Sequence, residues 1–198
     1  MQHAIWSFVT DFGDTAVTVP LALLMAGALA AARYFRMALG WCVAILACAG
    51  SIAGLKLALA VCGHQSGASA LASPSGHTAL STAVYGGFAV VFGAQLERPA
   101  RHALLAAAAA LMLGIAASRA VLHYHTAIEV AVGLAVGSLA LAGVVALTGH
   151  YRPARLPILP LGVAALAVAL IFHGARWPAE HAVRRLGFWF EVLAPLCR

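Results

Sequence analysis

The sequence predicts an all-α fold, a bundle of six transmembrane helices that forms one polytopic membrane domain over residues 1–198. Composition is one reason: 63% of the residues are hydrophobic and 9% are charged, whereas roughly a quarter are charged in a typical soluble protein. Length is the other reason, because six apolar stretches of about 20 residues, enough to cross a bilayer, recur along the chain. No polar linker or long-period repeat divides the chain, so we expect a single domain.

The six predicted spans follow one another through short loops. They cover about 16–34, 37–62, 77–96, 102–122, 126–148 and 156–173. The segment before them holds Asp11 and Asp14 but no basic residue. It therefore lacks the positive region of a secretory signal, and we expect an interfacial segment ahead of a retained helix. Residues 175–198 mix arginines with aromatic residues, a pattern typical of an amphipathic helix on the membrane surface.

Arginine pairs in the short loops predict the orientation. They follow the first, third and fifth spans, and they are Arg33 and Arg36, Arg98 and Arg101, and Arg152 and Arg155. The positive-inside rule assigns these loops to the cytoplasm. The other loops then face outward, which is the periplasm if the protein lies in a bacterial inner membrane. The basic tail conflicts with this orientation, but short loops carry the clearer signal.

The net charge of +6 is thus explained by topology. No basic stripe with interleaved aromatic residues follows the chain, so the composition does not indicate a nucleic-acid partner. The expected partners are membrane lipids and a lipid phosphate substrate.

Polar residues that lipid does not tolerate are concentrated between residues 56 and 129. They are Lys56 (the only lysine), the run Pro74-Ser75-Gly76-His77, the pair Ser118-Arg119, and then His125 and Glu129. A charged side chain at the centre of a membrane span costs about 2.5–3.5 kcal/mol on insertion scales. Such residues are usually functional, and this combination is suited to binding and cleaving a phosphate.

The run from Ser73 to His77 ends a loop and opens an apolar helix. Ser caps helices, Pro fits their first turn, and Gly allows close approach of the backbone. The N–H groups of a helix N-terminus, reinforced by the helix dipole, bind anions. Ser75 and Gly76 are therefore candidate phosphate ligands. The alternative is an ordinary turn.

His125 and Glu129 stand four residues apart and share one helical face. A carboxylate there can accept a hydrogen bond from one imidazole nitrogen and leave the other to act as a nucleophile. The alternative is a purely structural His–Glu pair. Arg119 offers a planar fork for phosphate oxygens, although an arginine at a helix end can also snorkel to the interface. Lys56 is expected to face a cavity in the protein.

His64 and His123 lie on the same predicted face and are candidates to contact a head group. The group His123-Tyr124-His125 with Glu129 also resembles a zinc site in its residue types. The cations Lys56 and Arg119 nearby would instead attract an anion, so we expect no metal and no other cofactor.

Small residues form two further patterns. Gly133 and Gly137 make a GxxxG motif in the fifth span, and Ala106–Ala110 is a run of alanines in the fourth. Small residues let helices approach closely, and we expect both patterns to serve the core of the bundle.

These motifs resemble those of the type-2 phosphatidic acid phosphatase (PAP2) superfamily. The family pattern has three parts: a Lys with Arg-Pro after six residues, then Pro-Ser-Gly-His, then Ser-Arg, five residues, His, three residues and Asp. The second and third parts match here in order and spacing, and the resemblance covers 56–129. Two positions depart from it: Gly63-His64 stands where the family has Arg-Pro, and Glu129 replaces the Asp.

The resemblance implies a membrane-bound lipid phosphatase that works through a phosphohistidine without a metal. It assigns the nucleophile to His125, its orientation to Glu129, and the general acid to His77. Phosphate binding falls to Lys56, Ser75, Gly76, Ser118 and Arg119, with His64 or Gln65 as the candidate to replace the absent Arg. The family's substrates include undecaprenyl diphosphate, phosphatidylglycerol phosphate, phosphatidic acid and lipid A phosphate.

Other functions stay open at this point. A lipid-to-lipid phosphotransferase would use an acceptor hydroxyl in place of water, and a catalytically weak lipid-phosphate binder would fit the absent Arg. A transporter or channel would spread its charges through the depth of the membrane, whereas here they map to one face. A haloperoxidase is disfavoured because that branch of the family is soluble.

Overall fold

The computed structural model describes residues 2–62, 73–148 and 156–177, and these residues form helices and no strand. The helices are α1 (Gln2–Asp11), α2 (Thr15–Ala31), α3 (Phe35–Cys62), α4 (Gly76–Gly93), α5 (Arg98–Val121), α6 (Ala127–Thr148) and α7 (Ile158–Phe172). The six predicted spans correspond to α2–α7, which confirms the all-α bundle. Four helical stretches are long and apolar enough to cross a membrane: Gln2–Ala31, Phe35–Val61, Arg98–Val121 and Ala127–Leu147.

The residues ahead of the first span form a helix of their own. The chain turns sharply after α1, and Asp14 begins α2 as its N-cap by accepting a hydrogen bond from the backbone N–H of Ala16 at 2.8 Å. Helix α1 packs on α5 and exposes Ile5 and Phe8. The N-terminal residues are thus part of the bundle rather than a separate tail.

Helix α4 is the centre of the bundle. It contacts α2, α3, α5 and α6, and most of its side chains are buried. On one side, Trp41 of α3 meets the ring of Phe88 edge-on at 5.9 Å and donates a hydrogen bond to the carbonyl of Ala22 in α2. These contacts join α2, α3 and the C-terminal half of α4.

The GxxxG motif of α6 is where α6 meets α4. A Cβ atom on Gly133 would lie 2.6 Å from the carbonyl oxygen of Ser75, and one on Gly137 would lie 2.5 Å from that of Ala79. Only glycine permits this approach of the two backbones. The motif therefore serves the core of the bundle, as the sequence predicts, and it sets the distance between the first turns of α4 and α6.

Most of the unusual polar residues lie at one end of the bundle. The turn between α1 and α2, the start of α4, the end of α5, the start of α6 and the end of α7 meet there. The arginines of the α2–α3 and α4–α5 connections lie at the opposite end, as the predicted topology requires. Arg176, one of the tail arginines, approaches Asp11 at 3.9 Å on the polar end. The rest of the tail and the loop with Arg152 and Arg155 fall outside the described residues.

Candidate active site

The site begins with the first turn of α6, which is a capping box. Thr126 accepts a hydrogen bond from the backbone N–H of Glu129 at 3.3 Å, and Glu129 Oε2 accepts one from the backbone N–H of Thr126 at 3.0 Å. This reciprocal pair is the signature of a Thr followed three residues later by a Glu. The spacing of Thr126 and Glu129 in the sequence is that of a capping box. It explains how the buried carboxylate of Glu129 is held in place.

The same carboxylate makes two further contacts. Glu129 Oε2 lies 3.1 Å from Nδ1 of His125, and Oε1 accepts a hydrogen bond from the backbone N–H of Ser73 at 2.6 Å. Only 6% of the surface of Glu129 is exposed. A buried carboxylate needs such donors to offset its lost hydration. Glu129 therefore joins His125, the start of α6 and the loop that leads into α4.

Contact with a carboxylate defines the chemistry of His125. Because Nδ1 donates to Glu129, the lone pair of the neutral imidazole is carried by Nε2. His125 lies in the turn between α5 and α6, outside the spans. Burial is the largest influence on its pKa and lowers it; the hydrogen bond to Glu129 raises the pKa, the nearby cations Arg119 and Lys56 lower it, and the net direction is down. These surroundings favour the neutral imidazole.

The start of α4 has the geometry of an anion site. Ser75 is its N-cap and is fully buried, and its hydroxyl oxygen accepts hydrogen bonds from the backbone N–H of Thr78 at 3.4 Å and the hydroxyl of Thr78 at 2.9 Å. Pro74 precedes the cap and does not enter the first turn. The first N–H groups of a helix have no acceptor within it, and here they belong to Gly76 and His77. An anion is favoured at such a helix N-terminus.

Arg119 is buried and does not snorkel. Its exposed fraction is 8%, its Nη1 donates to the hydroxyl of Thr10 at 3.1 Å, and the guanidinium lies over the ring of Tyr124 at 4.6 Å. Its neighbour Ser118 donates its hydroxyl hydrogen to the carbonyl of Ile115 within α5. The structure thus directs the Ser118 hydroxyl to its own helix, and its predicted contact with phosphate stays a prediction.

The other predicted site residues are Lys56, His123 and His64. Lys56 is half-buried on α3, close enough to His125 to influence it electrostatically. Ile52, one turn earlier on α3, would be 3.6 Å from a Cβ on Gly76, so α3 passes beside the start of α4. His123 is exposed in the α5–α6 turn, and His64 lies outside the described residues. Over 2–62, 73–148 and 156–177, no three His, Cys, Asp or Glu residues converge on a metal position.

One contact was missed from the sequence: His77 has a carboxylate partner. Its Nε2 lies 3.3 Å from Oδ2 of Asp14, whose Oδ1 also accepts a long hydrogen bond of 3.4 Å from the backbone N–H of Trp177. The only signal in the sequence was an Asp before an apolar span, which predicts a helix cap. Nothing in the spacing places that cap beside His77, because the contact depends on how α1 and α2 fold against α4 and α5.

An apolar cavity of about 330 Å³ runs along the bundle from Phe12, beside the α1–α2 turn, toward Phe92 near the opposite end of α4. Helix α4 contributes aromatic side chains, whereas α5 and α7 contribute small residues together with leucines. Its lining includes Tyr85, Phe88, Phe92, Ala107, Ala108 and Ala165. Two residues of the alanine run, Ala107 and Ala108, thus line the cavity, and no residue of the run is buried, which corrects the expectation that the run serves the bundle core.

The chain is similar to a known protein family. The family model described as PAP2 superfamily matches residues 57–153. This range contains the start of α4, the end of α5 and the capping box of α6. Comparisons with curated proteins and with solved structures give no match.

Replacing Glu129 with Gln should destabilise the bundle by about 1–3 kcal/mol, the range for a buried donor that loses its acceptor. The amide of Gln has one acceptor oxygen. It therefore cannot accept hydrogen bonds both from Ser73 and from the two donors that bind Oε2, His125 and Thr126. The measurement is the thermal unfolding midpoint in detergent. The control is Glu97→Gln, at an N-cap whose side chain makes no capping bond. An equal effect of the two substitutions would contradict the arrangement.

Proposed function

The chain belongs to the PAP2 superfamily, and from that premise we propose that it is a membrane phosphatase that releases phosphate from a lipid phosphate or diphosphate. The observation that carries this proposal is the buried His125–Glu129 pair beside Arg119 and Lys56. A neutral imidazole oriented by a carboxylate is a nucleophile, and two cations next to it attract an anionic substrate.

The proposed reaction has two steps. Nε2 of His125 attacks phosphorus in line, the bond from phosphorus to the lipid oxygen breaks, and that oxygen takes a proton from His77. Water then attacks the phosphohistidine, gives a proton to His77, and releases phosphate as the P–N bond breaks. His77 thus acts first as general acid and then as general base.

Charge develops on the phosphate oxygens during both steps. Lys56, Arg119 and the first N–H groups of α4 at Gly76 and His77 are the donors that would stabilise it. Ser75 and Ser118 are secondary candidates, since both hydroxyls are engaged within the protein. His64 is proposed to supply the contact that an Arg makes in the family pattern.

The substrate is proposed to be a lipid because the site sits at the end of apolar helices and beside an apolar cavity. Undecaprenyl diphosphate, phosphatidylglycerol phosphate, phosphatidic acid and lipid A phosphate are the candidates to compare. The loop arginines favour a site on the outer face, which is the periplasmic face in a bacterial inner membrane.

The test is phosphate release from these candidates by purified protein in the presence of a chelator. Replacing His125 with Ala should lower kcat/KM by about 10³-fold or more, the scale on which loss of a catalytic nucleophile lowers rates. The control is His102→Ala, an exposed histidine at the opposite end of α5, which should leave the rate unchanged.

Three outcomes would contradict the proposal. Equal rates for the wild type and His125→Ala would support a lipid-phosphate binder. Activity that disappears in chelator and returns with a divalent ion would contradict the metal-free mechanism. Transfer of phosphate to an added lipid alcohol in place of water would indicate a phosphotransferase.

A further inference from the structure

We propose that Asp14 is a positioning residue for the general acid, and that the turn between α1 and α2 is part of the active site. This inference rests on the proposed function, since it assigns a role within that reaction. It is carried by the contact of 3.3 Å between Asp14 Oδ2 and His77 Nε2.

The turn holds Asp14 firmly. Its Oδ1 caps α2 through Ala16 at 2.8 Å and is also 3.4 Å from the backbone nitrogen of Trp177, which follows α7. A Cβ on Gly13 would lie 2.7 Å from Ile115 of α5 and 3.3 Å from Cβ of His77. The turn therefore packs closely between α4 and α5. This packing keeps the carboxylate of Asp14 near the imidazole of His77.

The same segment also contacts the phosphate-binding side of the site. Thr10, at the end of α1, accepts the hydrogen bond from Arg119 and is itself buried. The two ends of the segment from Thr10 to Asp14 therefore contact two different functional side chains. This position is unusual for residues that precede the first predicted span.

The two histidines need opposite states, and their surroundings differ accordingly. His125 must begin neutral, and it lies near the cations of Lys56 and Arg119. His77 must begin protonated, and a carboxylate in contact favours the protonated imidazole.

The other charged groups on the elements around α4 do not replace this contact. Lys56 on α3 and Arg119 on α5 are cations, and the carboxylate of Glu129 accepts from His125, Thr126 and Ser73. Asp11 approaches Arg176. Among the described residues, Asp14 is the carboxylate that meets His77.

The variant Asp14→Asn separates positioning from folding, because Asn is as good an N-cap as Asp. The measurement is kcat/KM for two substrates, p-nitrophenyl phosphate and an alkyl lipid phosphate. The alkyl leaving group needs a proton, so its kcat/KM should fall by about 10²-fold, within the range for general acids. The aryl leaving group departs readily without a proton, so that kcat/KM should change little.

The pH profile gives a second readout. With the alkyl substrate, the basic limb should move to lower pH in Asp14→Asn, because His77 then loses its proton more readily. The variant Asp14→Glu should restore part of the rate. Asp11→Asn, the same substitution three residues earlier at a half-buried carboxylate that pairs with the exposed Arg176, should match the wild type in every measurement.

Equal losses on both substrates, or no loss on either, would overturn the positioning role while leaving the phosphatase intact. Failure of the wild type to release phosphate from any substrate would overturn the proposed function, and the role of Asp14 with it.

A second inference comes from the apolar cavity. We infer that it binds the hydrocarbon chain of the same lipid whose phosphate occupies the site, an assignment that also rests on the proposed function. The cavity reaches the α1–α2 turn: Phe12, two residues before Asp14, contributes to its lining, and the carbonyl of Phe12 accepts a hydrogen bond of 2.7 Å from Tyr85. His77 and Tyr85 lie two turns apart on α4, so one helix runs from the general acid into the cavity.

The walls suit a chain better than another helix. Helices α5 and α7 face each other across the cavity with Ala107, Ala108, Gly162 and Ala165, which leave space instead of filling it. The hydroxyl of Tyr85 already donates a hydrogen bond to the carbonyl of Phe12. An apolar ligand in the cavity would therefore not leave this hydroxyl without a partner. A hydrocarbon chain gains free energy roughly in proportion to the surface that it buries there.

Filling the cavity tests this assignment. Ala165→Phe should raise KM for a long-chain phosphatidic acid by about 10-fold or more, the scale for lost contacts in an apolar pocket. It should leave kcat/KM for p-nitrophenyl phosphate unchanged. The control is Ala167→Phe, the same substitution at an exposed position of α7 outside the cavity.

Equal effects of Ala165→Phe and Ala167→Phe on the long-chain substrate would overturn the assignment. So would an equal loss on p-nitrophenyl phosphate, because that would indicate damage to the site itself. If the wild type is active on both substrates, the proposed phosphatase activity holds even when the cavity does not bind the hydrocarbon chain.

Discussion

The carboxylate of Glu129 is the interaction on which the rest of the site depends. It accepts hydrogen bonds from the first turn of α6, from His125 and from the loop that enters α4. A buried carboxylate without donors would be destabilising by several kcal/mol, so each of the three partners contributes to the stability of the fold. His125, the proposed nucleophile, and the start of α4, the proposed phosphate-binding group, are thereby fixed relative to each other, with Gly133 allowing the two helices to approach.

The structure also treats the two histidines differently. His125 is buried close to Arg119 and Lys56, and these surroundings favour the neutral ring. His77 is more exposed and touches Asp14. The pair resembles other acid–base sites in which the surroundings of two titratable groups push them into opposite protonation states. In this protein the second carboxylate comes from the N-terminal turn, outside the range that matches the family model.

Much of this could be predicted from the sequence because it depends on local spacing. Apolar runs predict α2–α7, and the interval of four residues predicts the contact of His125 with Glu129. The contact of Asp14 with His77 could not be predicted, because it depends on how the α1–α2 turn packs between α4 and α5. For the same reason the sequence did not show that Arg119 is buried. The alanine run was misjudged because small residues can either admit a neighbouring helix or leave a cavity, and only the packing of α7 decides which.

The central claim is that Glu129 orients His125 so that Nε2 attacks phosphorus. An experimental structure with bound orthovanadate, which mimics the phosphoryl group in its transition state, tests it most directly. The account predicts vanadium bonded to Nε2 of His125, with Nδ1 still donating to Glu129 and the vanadate oxygens near Arg119, Lys56 and the start of α4. Vanadate bonded to Nδ1 or to another residue, or a His125 side chain turned away from Glu129, would contradict it.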